Sequence, residues 1–101
     1  MKTVAIQIVE TPSKSKGWGA FKCDALGDKL LYSNKTVDLA EGASVTVEVL
    51  AMNKSGKVGR QLKGREVLTL TVTGNDTDMV ELSVRPGSQE CRIRIIGAKS
   101  S

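Results

Sequence analysis

The single Trp and the single Phe of the chain stand three positions apart in Ser15-Lys16-Gly17-Trp18-Gly19-Ala20-Phe21-Lys22-Cys23, with a lysine on either side. In an extended strand, period-two geometry puts Trp18, Ala20 and Lys22 on one face and Gly19, Phe21 and Cys23 on the other. An exposed indole beside ammonium groups can stack a nucleobase while the lysines hold the neighbouring phosphates, which is how single strands are gripped. The other reading of the same residues is structural: Trp18 caps one end of a barrel or sandwich.

A second cationic cluster lies in residues 53–65, where Lys54, Lys57, Arg60, Lys63 and Arg65 occur with three glycines and no acid. The segment is too rich in Gly for a helix and too polar for a core. It reads as a surface excursion, either an arm for a phosphate backbone or a solvated hairpin tip. Arg92 and Arg94 alternate out of phase with Cys91, Ile93 and Ile95, and they read as guards of an exposed or edge strand rather than as phosphate ligands.

Catalytic chemistry is poorly provided for. The chain contains no histidine, which removes the commonest general base and a common zinc ligand. Asp24 with Asp28, and Asp76 with Asp78, stand where turns favour them anyway. Nothing resembles a set of nucleophile, base and orienting residue, so no enzyme, cofactor or metal site is expected. Cys23 and Cys91 lack the close spacing of a zinc ribbon or redox motif. Each is in phase with apolar neighbours, as a buried thiol would be, and a disulfide stays open.

At 101 residues the chain fits one domain, residues 1–101, with a modest core. Fifteen Lys and Arg against eleven Asp and Glu give a formal charge of +4, which favours polyanionic partners. The first residues do not read as a secretory signal, and no apolar run is long enough to span a bilayer, so a cytoplasmic protein without a membrane partner is expected.

The elements that must position these residues are strands. Alternation marks residues 3–10, 18–23, 29–33, 43–51, 66–73, 80–84 and 91–95, several of them rich in β-branched side chains. The 29–33 strand is expected to return on 18–23 as a hairpin, with Leu31 inward and Leu30 and Tyr32 on the display face. Residues 33–38 have no clear period and read as a loop. Residues 97–101 read as a frayed tail. No segment of ten or more residues has a convincing helical period, so the class is all-β, with seven short strands forming a small barrel or a sandwich.

Lys16-Gly17-Trp18-Gly19-Ala20-Phe21 resembles the first nucleic-acid-binding motif of cold-shock domains, which runs Lys, Gly, aromatic, Gly, aromatic, aliphatic. The alternating strand and loop before it are similar to that family. So is the run Leu39-Ala40-Glu41-Gly42-Ala43-Ser44-Val45-Thr46-Val47-Glu48-Val49, which looks like the stretch leading into the family's fourth strand. The separation of Phe21 from Tyr32 matches that between the family's two motifs. The resemblance covers residues 3–52. It implies an OB-like antiparallel barrel of five strands, here with an extra C-terminal hairpin, with a seven-stranded β-sandwich as the alternative. It also implies binding of single-stranded DNA or RNA. Lys16 would contact backbone, Trp18 would stack a base, and Leu30 and Tyr32 would occupy the second motif's aromatic and histidine positions. Phe21 would take the inward aliphatic position, and Ala20 replaces one stacking aromatic.

The expected interface therefore comprises Lys16, Trp18, Lys22, Leu30, Tyr32, Lys54, Lys57, Arg60, Lys63 and Arg65. The competing expectation is a protein–protein interaction module, an assembly component or small inhibitor, anchored by Trp18. The last strands either close the barrel or offer an edge to a second copy, a homodimer.

Overall fold

The computed structural model describes residues 1–11, 17–53, 62–85 and 90–101, with the side chains of residues 17, 18, 52, 53, 62 and 63 outside that description. Eight strands follow one another: β1 (Lys2–Glu10), β2 (Gly17–Cys23), β3 (Lys35–Leu39), β4 (Ser44–Asn53), β5 (Leu62–Val72), β6 (Met79–Val84), β7 (Cys91–Ile96) and β8 (Ala98–Ser100). They form two four-stranded antiparallel sheets, A in the order β3-β1-β7-β6 and B in the order β2-β4-β5-β8.

Alternation in the sequence becomes alternation in burial. Along β7 every second residue, Cys91, Ile93 and Ile95, is buried, and Arg92, Arg94 and Ile96 are half-buried. The buried members of both sheets meet in one cluster: Val4, Ile6, Ile93 and Ile95 from sheet A, and Phe21, Val47, Val49 and Leu70 from sheet B. Two sheets that share one apolar layer between their inner faces make a sandwich.

This corrects the expectation of a five-stranded OB-like barrel, because no sheet closes on itself among the described residues. The divergence begins after β2. A single 3-10 turn, Asp24–Leu26, ends in Gly27 at φ 90° and Asp28 at φ 53°, and the Asp24 carboxylate anchors it by accepting the Thr46 N–H at 3.1 Å. The chain then touches β2 at one bridge only, where Phe21 and Leu31 exchange backbone hydrogen bonds of 3.0 and 2.8 Å. Residues 29–33 are therefore not a paired strand, although Leu31 is buried as expected. The chain crosses to sheet A, and residues 35–38, read as loop from sequence, become with Leu39 the strand β3 on the far side of β1.

The C-terminal hairpin is not an appendage. β6 and β7 pair as expected, but β7 also pairs with β1 and lies inside sheet A. The tail is not frayed either. Gly97, at φ 96°, turns the chain out of sheet A, and β8 then pairs with β5 in sheet B. That left-handed conformation is open to glycine at little cost.

Gly19 has a steric role. A methyl group there would lie 2.5 Å from Cys91 Sγ and 2.9 Å from Thr11 Oγ1, while the Gly19 N–H donates to that threonine hydroxyl at 3.1 Å. The close approach holds the start of β2 against the end of β1 and the start of β7. Gly19→Ala is expected to cost about 1–3 kcal/mol through overpacking. Because the tightest of these contacts is with Cys91 Sγ, Gly19→Ala combined with Cys91→Ala should lose less than the sum of the two single losses, as read from urea midpoints.

Candidate nucleic-acid interface

One end of sheet B positions the flanks of the two cationic segments. The β2–β4 register sets Gly17 opposite Asn53, and the β4–β5 register sets Met52 opposite Leu62 after a bulge. The strand ends that flank residues 12–16 and residues 54–61 therefore stand side by side. In sequence, those two segments carry Lys14, Lys16, Lys54, Lys57 and Arg60 and no acid. Lys14 was not among the expected site residues; the signal for it was its place in the same acid-free stretch as Lys16.

Of the ten expected residues, Lys16, Lys54, Lys57 and Arg60 lie outside the described residues, and the side chains of Trp18 and Lys63 do so too. The backbone of Trp18 is in β2, opposite Met52, and that of Lys63 is in β5. The remaining four are placed. The Phe21–Leu31 bridge holds Leu31 at the free edge of β2, with Leu30 and Tyr32 on either side of it in the chain. Tyr32 is 48 % exposed, whereas Leu30 and Lys22 are half-buried. Lys22 lies on β2 one residue beyond the bridged Phe21, so the bridge links β2 to the segment that carries Leu30 and Tyr32.

Arg65 lies opposite Leu50 on the outer face of sheet B and pairs through Nε with Glu48, which in turn stands opposite Lys22. Glu48 offsets one of the two cations, yet the Arg65 side chain remains 60 % exposed. The outer face is not open along its whole length. Ala20 and Leu50, opposite each other, are both buried and both outside the core cluster, so the surface is covered at that point.

The outer face of sheet A carries a contrasting arrangement. Arg92 lies within 3.5 Å of Glu10, 3.8 Å of Glu81 and 3.9 Å of Glu90, Arg94 lies 3.6 Å from Glu81, and Arg85 pairs with Glu90. Three cations meet three carboxylates, which leaves little positive potential there for phosphate. β7 is paired on both sides, so Arg92 and Arg94 guard no sheet edge, contrary to the expectation, and instead join this ladder of ion pairs.

Both cysteines are free and buried. Cys91 packs against Gly19, and Cys23 lies four residues further along β2, roughly 13 Å away at strand rise, beyond the reach of a disulfide. Burial raises both thiols above the ordinary value of 9.0, Cys91 to about 11. A thiol that holds its proton more tightly when folded makes the fold lose stability as pH rises from about 9 to about 11. The contribution of Cys91, measured as the difference in urea midpoint between the parent chain and Cys91→Ala, should accordingly shrink across that window.

No helix among the described residues is long and apolar enough to cross a membrane. No protein-family model matches the chain, and no curated protein matches it.

Proposed function

We propose that this chain is a non-catalytic module that binds single-stranded DNA or RNA at the β2–β4–β5 end of sheet B. The observation that carries the reading is the strand pairing that sets the flanks of two acid-free cationic segments beside each other. Lys16, Lys54, Lys57, Arg60 and Lys63 supply phosphate contacts, with Arg65 contributing what Glu48 leaves uncompensated. Trp18 and Tyr32 supply stacking surfaces, with Lys22 and Leu30 as further contacts. With three aromatic residues in the whole chain, the stacking platform is small and affinity leans on charge. The likeness of residues 16–21 to the cold-shock motif supports the same ligand class, and the burial of Phe21 agrees with its inward position in that motif.

Charge reversal at Lys57 and Arg60 tests the assignment of phosphate contacts. For single strands each contact contributes about 0.7 to the slope of log affinity against log salt, so losing two should flatten the slope by about 1.4. The loss should be equal for oligonucleotides of different sequence. A slope and affinity unmoved by the double reversal would reduce the segment to a solvated turn. The second reading, recognition of another protein, draws on the open sheet edges of the sandwich, and it predicts binding that depends little on ionic strength.

A further inference from the structure

Among the described residues four strands lie at sheet edges, and three of them are guarded. β3 carries Lys35 opposite Ile6, a charge at a core-facing register position. β2 is partly covered by the Leu31 bridge. β8 has three residues, one of them Lys99. β6 has six residues in unbroken register with β7, without Pro, Lys or bulge. Edges of that kind pair with further strands unless something prevents it.

The backbone of β6 is oriented for such pairing. Gly97 N–H donates to the Asp78 carbonyl at 2.9 Å, so the 78/97 pair is a hydrogen-bonded one. By antiparallel alternation Val80, Leu82 and Val84 bond to β7, while Met79, Glu81 and Ser83 turn their N–H and C=O groups to the open side.

We propose that two copies of this chain join their A sheets by antiparallel pairing of β6 with β6, centred on Leu82. That centre sets Glu81 against Ser83 of the second copy and Val80 against its Val84, with Leu82 meeting Leu82. Centring on Glu81 instead would oppose two carboxylates, which is destabilising. Charge on the outer face then continues across the twofold axis. Within one copy Arg94 lies opposite Glu81, and Arg92 lies opposite Ser83 and pairs with Glu10. Each row therefore runs Arg94, Glu81, then Ser83, Arg92 and Glu10 of the second copy, with no like charges directly opposite each other. The resulting interface is isologous, as a closed dimer requires. This inference is independent of the nucleic-acid reading.

Two substitutions and one measurement on the unaltered chain test it. Ser83→Pro removes an N–H that faces the open edge and no bond to β7. Ser83→Glu places a carboxylate against Glu81 of the second copy twice over, while gaining Arg92 as a cross-strand neighbour in its own chain. Sedimentation should give the parent chain twice its 10.8 kDa mass, and each variant should raise the dimer dissociation constant by about tenfold or more. Amide exchange on the parent chain should show Glu81 and Ser83 protected as concentration rises. If Ser83→Pro does not fold, Ser83→Glu and the exchange data decide. A parent chain that stays monomeric at millimolar concentration overturns the proposal. So does a dimer undiminished by Ser83→Glu, or one in which those two amides exchange freely.

Discussion

Phe21→Ala is expected to lower stability by about 3–5 kcal/mol, the range for removing a buried phenyl ring. Among the described residues Phe21 heads the fully buried side chains by volume, it sits opposite Val49, and its backbone makes the bridge that holds Leu31 to β2. Truncation leaves a cavity between the sheets and loosens the seat of Leu31 at the same time. Against a total of about 5–15 kcal/mol for an ordinary domain, that is a large fraction. The urea midpoint should fall steeply with the slope unchanged, since the surface exposed on unfolding is nearly the same. Phe21→Leu keeps most of the volume and should cost about 1.5 kcal/mol or less. A midpoint that barely moves for Phe21→Ala would contradict the placement of this ring at the centre of the sandwich.

The largest expected effect on binding is that of Trp18→Ala. A base stacked on an aromatic side chain contributes about 1–3 kcal/mol, so affinity for a labelled oligo-dT should fall by about 5- to 150-fold at constant salt. Because the indole carries no charge, the salt slope should stay as it is. That separates this variant from the Lys57 and Arg60 reversals, which change the slope. Trp18→Phe retains a π-face and should recover most of the loss. Tyr32→Ala should show a smaller loss of the same kind, because its ring is half exposed beside β2. Equal affinity in Trp18→Ala and the parent chain would assign Trp18 to the scaffold alone.

The strands that were legible in the sequence are those in which a branched aliphatic residue recurs at every second position. Val45, Val47 and Val49 in β4, Leu68, Leu70 and Val72 in β5, and Ile93 and Ile95 in β7 announce both the strand and its buried face. β3 was missed because Lys35-Thr36-Val37-Asp38-Leu39 offers only Val37 and Leu39, both half-buried, and it exists because β1 has a free side to pair with. β8 was missed for a related reason. Ala98 is its one core residue, and the strand is created by the turn at Gly97 and by the proximity of β5.

Partner choice was the larger gap. Local pattern specifies that residues 2–10 form a strand, but not that it lies between β3 and residues 92–96 from the far end of the chain. Those pairings are decided by loop closure and by the joint burial of both sheets, which a short motif does not encode. Period-two alternation accordingly anticipated the burial of Phe21 and the exposure of Tyr32, while no closed barrel is found among the described residues. For the candidate site, the charge of residues 53–65 was legible as composition. That its flanks adjoin those of residues 12–16 needed the Gly17–Asn53 and Met52–Leu62 pairings.

The most direct test of the central claim is a titration of Trp18 fluorescence with oligo-dT at two salt concentrations. The account predicts quenching at low salt and an affinity that falls by about 0.7 log units per log unit of salt for each phosphate held. Absence of quenching at low salt, or quenching with an affinity indifferent to salt, would contradict it.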